Sequence, residues 1–291
     1  MHGMGNAMDA YKDKPKRYLT NLGQDFAINP ATSSYCAGFE IQKWRCESFA
    51  DHLIEWIADY ALREDELHVN HGNMYIRLKE AAARIYNTDK YKSRGELGEL
   101  ALHAICRDFF ETVPIAPRVF YLTSSNDVVK SFDMAHVRYI EPEGIELWLG
   151  ESKLYRDSST AINAAIDSIR AHIDQGFLNN EKLILGPQIS KNLPLYDDIR
   201  EVFSVQSSLD KLFSTAVFPV CIMADSLAVA SATCHSDEYL LSVQKEISQL
   251  KNKIVDSGLN QKIRIILIYV PLLSKDDIAS AFHLKLKGLS V

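Results

Sequence analysis

The stretch 132–153 constrains the fold most strongly, because it contains two alternating apolar runs on either side of a turn. Alternate apolar positions predict β-strands with one buried face. The two rows are Ala135, Val137 and Tyr139, then Ile145, Leu147 and Leu149. Segment 141–144 (Glu-Pro-Glu-Gly) breaks both patterns and predicts a turn centred on Pro142. An antiparallel hairpin follows, and its predicted pairs are Tyr139–Ile145, Val137–Leu147 and Ala135–Leu149.

Charged residues lie at the open end of this predicted hairpin. The same register places Asp133 opposite Glu151, and period-two geometry puts Lys153 on the face of Glu151. Two carboxylates at bonding distance repel each other unless a cation lies between them, and their oxygens favour Mg²⁺ or Mn²⁺. Glu151-Ser152-Lys153 is the only triplet in the chain in which an acid precedes a lysine by two residues. The pattern therefore indicates a metal site.

A third carboxylate comes from the helix predicted over 95–111, which follows a basic loop at 91–94. Helical spacing puts Glu96, Glu99 and His103 on one face of it. Glu99 could complete the protein part of an octahedral site that keeps several waters. Such a metal stabilises charge developing on a phosphate, and Lys153 would position the attacking water. The set is suited to phosphodiester hydrolysis.

Simpler interpretations of the same residues stay open. Glu151 and Lys153 could form a surface ion pair at a strand end, which stabilises a fold only slightly. Glu96 and Glu99 could be first-turn acids that the helix dipole favours, or Glu96 could take the place of Glu99. His136 falls on the row opposite Asp133. We expect a structural role for His136, and for His103 a place in the core.

The rest of the chain predicts strands alternating with helices. Residues 1–30 lack periodicity and predict a loosely held arm, residues 37–46 an exposed strand, and 118–124 another strand. Helices are predicted at 49–63, 73–86, 158–175 (capped by residues 158–160), 176–184, 195–203, 209–214, 238–255 and 275–286, and buried strands at 217–223 and 263–270. This order implies an α/β fold with a mixed sheet.

Composition limits the classes of function. A net charge of −6 over 291 residues argues against a protein that grips nucleic acid alone, because phosphate neutralisation needs basic residues. Five widely spaced cysteines without a C-x-x-C pair favour reduced thiols in a cytoplasmic protein. No apolar signal segment is present, and the run 263–273 contains Arg264 and is too short to cross a bilayer. We expect no membrane partner.

Three motifs carry a resemblance to a known family: Gly95-Glu96-Leu97-Gly98-Glu99, Phe132-Asp133-x-x-His136 and Gly150-Glu151-Ser152-Lys153. In this order they resemble the motifs of PD-(D/E)xK nucleases. The resemblance implies an α/β restriction-endonuclease-like core that runs helix, three antiparallel strands, helix, strand, with a mixed sheet flanked by helices. It implies that Glu99, Asp133 and Glu151 bind metal and that Lys153 completes the catalytic set. Phe132 stands where the name-giving proline would be.

More narrowly, residues 35–290 resemble HamA, the nuclease subunit family of Hachiman antiphage defence systems, including the stretch Gly38-Phe39 … Trp44-Arg45. This resemblance implies a Mg²⁺- or Mn²⁺-dependent DNA nuclease that works with a superfamily 2 helicase, HamB. The helicase would hold DNA and use ATP, which fits the acidic balance of this chain. We predict an N-terminal portion over 1–87 that contacts the partner, and a nuclease domain over 88–291. A non-catalytic adaptor for a helicase and an RNA nuclease are the alternatives.

Overall fold

The computed structural model describes residues 10–85, 95–115, 132–140, 144–204 and 206–290. It is an α/β fold around a mixed sheet of seven strands in the order β1-β2-β9-β8-β7-β6-β5. These strands are β1 (Thr20–Asp25), β2 (Ala31–Cys36), β5 (Val113–Pro114), β6 (Met134–Ile140), β7 (Gly144–Tyr155), β8 (Ala216–Asp225) and β9 (Ile265–Leu272). Strands β3 (Phe39–Glu40) and β4 (Lys43–Trp44) form a separate pair.

Helices flank the main sheet. In the described parts of the chain they are α1 (Cys46–Glu55), α2 (Ile57–Ala61), α3 (Met74–Ile85), α4 (Glu96–Phe109), α5 (Ser158–His172), α6 (Gln175–Leu185), α7 (Tyr196–Val202), α8 (Leu209–Thr215), α9 (Leu227–Ala230), α10 (Asp237–Asp256) and α11 (Lys275–Ser290). Short 3₁₀ turns occupy Gly186–Gln188 and Leu259–Gln261. None of these helices is long and apolar enough to cross a membrane. The alternating pattern predicted from 157 onward is confirmed.

The predicted hairpin is confirmed with its register. Strands β6 and β7 pair antiparallel, and the observed pairs include Tyr139–Ile145, Val137–Leu147 and Ala135–Leu149. The ladder ends at the pair Met134–Gly150. The amide of Asp133 then donates to the carbonyl of Gly150 at 2.9 Å. Asp133 is therefore the next residue in register and lies across from Glu151. Residues 141–143 of the turn lie outside the described chain.

Strand β7 is longer than its antiparallel partner. Beyond Gly150 it continues to Tyr155, and this extension still pairs in parallel with β8, from Glu151–Val220 to Tyr155–Ala224. The other edge of the extension has no strand beside it among the described residues. That edge leaves room for side chains from β6 and α4.

The two faces of β7 pack against different helices. Even-numbered residues face α4: a Cβ added at Gly150 would lie 2.8 Å from Cδ2 of Leu102, and one added at Gly98 would lie 3.3 Å from Oγ of Ser152. Odd-numbered residues face α5, where His172 lies near Glu151. Helix α4 is buried almost all round, as expected of a helix inside a core.

The N-terminal arm predicted over residues 1–30 is wrong for residues 10–30. Strand β1 joins the edge of the main sheet, Tyr11 and Leu19 are buried, and Arg17 bonds to Asp108 of α4. Residues 20–25 show no apolar alternation because an edge strand exposes most of its side chains, and β1 does so. Strands from both sides of residue 87 share the main sheet, and the division at 87 stays a prediction.

Three local predictions also need correction. Residues 37–46 form the β3–β4 pair instead of one strand, because Ile41 and Gln42 adopt positive φ values of 47° and 61° in the turn between them. The helix predicted over 49–63 is divided at Trp56 into α1 and α2. Helix α5 is capped by Asp157, whose carboxylate accepts from the amide of Thr160. The loop predicted at 91–94 and the strand at 118–124 lie outside the described residues.

Candidate active site

A cleft of about 260 Å³ opens beside the extension of β7. It is lined by Gly95, Glu99, Asp133, Ser152, Lys153, Leu154, Tyr155 and Lys275. The structure thus brings together three of the four residues that the sequence predicted. A larger cavity of about 680 Å³ lies at the other end of β7, near Arg138 and Arg264. None of the predicted site residues lines it.

Asp133 is held in place by the residue between the glutamate and the lysine of the triplet. Its Oδ2 accepts hydrogen bonds from the backbone amide of Ser152 at 2.8 Å and from Oγ of Ser152 at 3.1 Å. The amide is available because β6 has ended and no strand in the described ranges pairs with this edge. The carboxylate of Asp133 therefore replaces the missing strand partner and takes a fixed orientation at the cleft.

Glu151 and Lys153 form a contact pair, with Nζ of Lys153 donating to Oε1 of Glu151. Glu151 is 3% exposed, and its Oε2 lies 3.4 Å from Nδ1 of His172. Burial, followed by the negative charge of Asp133, raises the pKa of Glu151 to about 7. Burial lowers the pKa of Lys153, but the charge of Glu151, the hydrogen bond to Glu151 and the charge of Asp133 together outweigh burial, so the pKa of Lys153 is raised. The amine is therefore charged at neutral pH.

Glu99 reaches the cleft from the first turns of α4. It is 7% exposed, and its Oε2 accepts a 2.8 Å hydrogen bond from the hydroxyl of Tyr60 on α2. Helix α4 lies close to β7 at Gly98, where a Cβ would meet Oγ of Ser152 at 3.3 Å, which is tighter than an ordinary van der Waals contact. Glu96, the alternative to Glu99, does not line the cleft.

A comparison with known protein families identifies the family to which the chain belongs. A family model described as HamA matches residues 14–286. The chain belongs to the HamA family. The resemblance of residues 35–290 to HamA is thereby confirmed.

A curated relative of this HamA-family chain is "Anti-bacteriophage protein A" from Escherichia coli strain K12. The two proteins are 25% identical over 190 residues, which is 65% of this chain and 35% of the relative. The chain thus matches about a third of the length of the curated relative.

Glu151 is placed differently from the other predicted residues. It does not line the cleft, since its side chain points to α5 and meets the cleft through Lys153. Among the described residues of this HamA-family chain, no group of three or more His, Cys, Asp or Glu side chains has the arrangement of a metal site. The candidate ligands are therefore Asp133, directly before β6, and Glu151 on β7, with Glu99 approaching from helix α4.

Several residues around the site were not predicted from the sequence. In the sequence, Tyr60 is recognisable only as one of the apolar residues on one face of the helix predicted over 49–63. That pattern does not reveal its hydrogen bond to Glu99. Ser152 was treated as the variable position of the triplet, although it orients Asp133. Tyr155 continues the period-two row of Lys153, and that signal could have identified it. Lys275 offered no local signal, because only the fold brings α11 to the cleft.

Proposed function

We propose that this HamA-family protein is a metal-dependent nuclease that hydrolyses phosphodiester bonds of DNA. The observation that carries the proposal is the cleft at the open end of β7, which is lined by Asp133, Glu99 and Lys153. Carboxylates beside a charged amine fit the chemistry of phosphoryl transfer, in which charge develops on phosphate oxygens. The name of the Escherichia coli relative supports a role in defence against bacteriophage.

The donor chemistry of the site fits a Mg²⁺ or Mn²⁺ ion. Oε2 of Glu151 is buried and accepts no hydrogen bond from the described residues, with Nδ1 of His172 at 3.4 Å, and repulsion from Asp133 helps to raise the pKa of Glu151. A cation near both carboxylates would relieve this repulsion. Mg²⁺ is usually held by one or two carboxylates plus waters and substrate phosphate, so a compact group of three ligands is not required. We therefore assign Asp133 and Glu151 as ligands, with Glu99 assisting directly or through water.

Each residue has a distinct part in the proposed reaction. When bound, the cation supplies positive charge that stabilises the phosphate during displacement. Lys153 adds a second positive charge at the cleft and orients the attacking water by donating a hydrogen bond. Ser152 fixes the direction of Asp133, and Tyr60 fixes that of Glu99. The geometry is thus prepared before substrate arrives.

The order of elements supports assignment to the PD-(D/E)xK superfamily. Helix α4 is followed by β5, β6 and β7, which pair antiparallel, then by helix α5 and by β8, which pairs in parallel with β7. This is the order of the core that the motifs imply. Asp133 lies at the end of the second of these strands, and Glu151 and Lys153 lie on the third.

We also propose that the protein acts with a superfamily 2 helicase such as HamB. The resemblance of the motifs to Hachiman nucleases suggests this partner. The net charge of −6 supports it, because an acidic chain binds DNA weakly by itself and a helicase with a basic channel would supply most of the affinity. The segment 1–87 is the part that we expect to contact the helicase.

Cleavage of supercoiled plasmid DNA by the purified chain, with and without a co-purified helicase partner, tests the proposal. We expect cleavage that depends on Mg²⁺ and stops with EDTA. Lys153→Ala and Glu151→Ala should abolish it while leaving the fold and partner binding intact. Glu146→Gln is a matched control, because Glu146 is a buried acid at the other end of β7 and pairs with Arg264.

Two results would contradict the proposal. Cleavage at the wild-type rate by Lys153→Ala would show that the nuclease activity comes from elsewhere. A complex that binds DNA without any metal-dependent nicking would indicate an adaptor. Competition between labelled DNA and RNA in the same assay then identifies the preferred nucleic acid.

A further inference from the structure

Strand β7 carries its alternation one step beyond the triplet, to Tyr155. Period-two geometry places Tyr155 on the same face as Lys153. Tyr155 and Lys275 both line the cleft that Asp133 also lines. We propose that Tyr155 and Lys275 form a binding site for an unpaired nucleotide, in which Tyr155 stacks on the base and Lys275 contacts a flanking phosphate. This inference rests on the proposed nuclease function for the class of its ligand.

The ring of Tyr155 is accessible to a ligand. Tyr155 is 36% exposed, whereas Tyr269 on β9, two strands away in the sheet, is 1% exposed and packs in the core. Within the described chain no other aromatic ring packs on Tyr155, and its recorded ring contact is Nζ of Lys275, 6.0 Å from the centroid. An exposed aromatic ring beside a cation is the usual platform for a nucleic acid base, since every base has a π-face.

Lys275 is positioned by contacts of its own helix turn. Its backbone amide donates to Oδ1 of Asp225 at the end of β8, and the next residue, Asp276, pairs with Arg156, which follows Tyr155. These two contacts attach the start of α11 to the ends of β7 and β8. The side-chain amine forms no ion pair with any carboxylate that the structure describes. It is therefore a positioned cation at the cleft, and phosphate is its natural ligand.

The arrangement favours an unpaired nucleotide over a duplex. In a duplex both faces of each base are covered by neighbouring bases, so a tyrosine ring reaches a base face only where pairing is lost. The cleft of about 260 Å³ also holds Lys153, the proposed catalytic amine, so the stacked base and the scissile phosphate would belong to adjacent nucleotides. Single-stranded DNA, of the kind a helicase produces, is the substrate class that follows.

Binding measurements on the full chain in EDTA test this inference without requiring cleavage. The probes are a fluorescein-labelled single-stranded DNA oligonucleotide and the matched duplex, followed by fluorescence anisotropy. Tyr155→Ala should weaken single-strand binding about ten-fold, while Tyr155→Phe and Tyr155→Trp should retain it. Lys275→Ala should reduce the slope of log affinity against log salt by about 0.7, the value for one phosphate contact on a single strand.

Matched controls lie outside the cleft. Tyr75 is 64% exposed on α3, and Lys262 is an exposed lysine at the opposite end of β9 from Lys275. Tyr75→Ala and Lys262→Ala should leave both the affinity and the salt slope unchanged. Tyr155 is the last residue of β7 and Lys275 the first of α11, so we expect their substitution to leave the fold intact. Far-UV circular dichroism checks this for all variants.

Each result has a definite meaning. Weaker single-strand binding by Tyr155→Ala, with duplex binding unchanged, supports the inference. Equal loss on both probes, no loss on either, or no single-strand binding by the wild-type chain overturns it. Failure of the nuclease proposal is a separate result: binding that depends on Tyr155 without metal-dependent cleavage leaves the binding site standing. Metal-dependent cleavage of single strands that Tyr155→Ala leaves unchanged would overturn the binding site alone.

Discussion

The hydroxyl of Tyr60 donates a 2.8 Å hydrogen bond to Oε2 of Glu99, so a helix from the N-terminal part of the chain holds a carboxylate of the candidate active site. Both residues are buried, at 5% and 7% exposure. A hydrogen bond to a buried charged group stabilises the fold more than one at the surface. The same contact orients the carboxylate toward the cleft. Tyr60 is therefore a positioning residue for Glu99.

Tyr60→Phe removes this hydroxyl with little change in volume. We expect the free energy of unfolding to fall by about 1.5–3 kcal/mol, because Glu99 stays buried without this donor. Loss of an orienting partner of a metal ligand typically costs about 10- to 100-fold in metal affinity or activity. The Mg²⁺ concentration for half-maximal cleavage should therefore rise. Urea unfolding and a Mg²⁺ titration of plasmid cleavage measure the two effects.

Tyr75→Phe on the exposed face of α3 is the control and should change neither quantity. If Tyr60→Phe lowers stability while the Mg²⁺ requirement stays at the wild-type value, Tyr60 serves the fold and has no part in positioning Glu99.

Gly150 lies where β7 crosses α4, directly before the triplet Glu151-Ser152-Lys153. A Cβ at this position would lie 2.8 Å from Cδ2 of Leu102 and 3.1 Å from Cε of Met134. Gly150→Ala should therefore destabilise the protein by about 1–3 kcal/mol through overpacking. It should also lower the cleavage rate, because Asp133 bonds to the carbonyl of Gly150.

A double-mutant cycle identifies the cause. Leu102→Ala alone should cost about 2–5 kcal/mol, since Leu102 is fully buried. In the double variant Gly150→Ala/Leu102→Ala the new methyl group gains space. The loss of unfolding free energy should therefore be smaller than the sum of the losses in the two single variants. Additive costs in urea unfolding would show that Leu102 does not oppose the methyl group.

A buried chain of side chains joins α2, α4 and β6. Thr112 contacts Nδ1 of His136 at 2.7 Å, Nε2 of His136 contacts Nδ1 of His103 at 3.1 Å, and Nε2 of His103 contacts Asp59 at 2.7 Å. Burial lowers the pKa of both histidines, and with both imidazoles neutral every contact has one donor and one acceptor when each ring carries its proton on Nε2. Arg107 bonds to both oxygens of Asp59 and balances its charge.

The two buried histidines of this hydrogen-bonded row predict that the folded protein loses stability in acid. Burial lowers the pKa of His136 and of His103, so the folded protein does not take up the protons that an unfolded histidine binds below its ordinary pKa of about 6.5. Stability from these two groups is therefore present above about pH 6.5 and is lost as pH falls, by up to about 1.4 kcal/mol per pH unit for each histidine.

His136→Gln tests the assignment, because glutamine can offer both a donor and an acceptor but does not titrate. Urea unfolding between about pH 5 and pH 7 should show a shallower pH dependence in the variant than in the wild type. Equal slopes in the two proteins would show that His136 is not kept neutral by the fold. Comparing slopes cancels the contributions of other groups, including Glu151.

The strand pattern of 132–153 could be read correctly from the sequence, because one face is buried and the alternation fixes the register. Asp133, Glu151 and Lys153 follow from that register. Helix α4, which carries Glu99, could also be predicted from the sequence, because its segment has a strong helical periodicity. Strand β1 was missed because edge strands are stabilised by backbone pairing and leave no apolar row.

Other parts of the site depend on contacts between distant segments. Tyr60 and Glu99 are 39 residues apart, and no local pattern encodes their hydrogen bond. His172 meets Glu151 only because α5 packs back on β7. The sequence predicts that the carboxylates of Asp133 and Glu151 lie near each other. In the structure Asp133 lines the cleft, whereas the carboxylate of Glu151 contacts Lys153 and lies 3.4 Å from Nδ1 of His172.

The raised pKa of Glu151 yields a prediction on stability and metal binding together. The folded-state pKa of about 7 exceeds the ordinary value of 4.5. The stability from this group is thus present below about pH 4.5 and is lost as pH rises through about 7. Relative to the wild type, Glu151→Gln should gain up to about 3 kcal/mol between these limits, because glutamine carries no charge to bury.

Mg²⁺ should reduce this difference by about half at about pH 8, since a cation stabilises the ionised carboxylate of Glu151. At ten times its Kd the ion should stabilise the wild-type protein by about 1.4 kcal/mol and should leave Glu151→Gln nearly unchanged. Thermal unfolding with and without Mg²⁺ measures both proteins. Equal stabilisation of the two would show that the ion binds without Glu151, and the ligand set would then reduce to Asp133 and Glu99, which line the cleft directly.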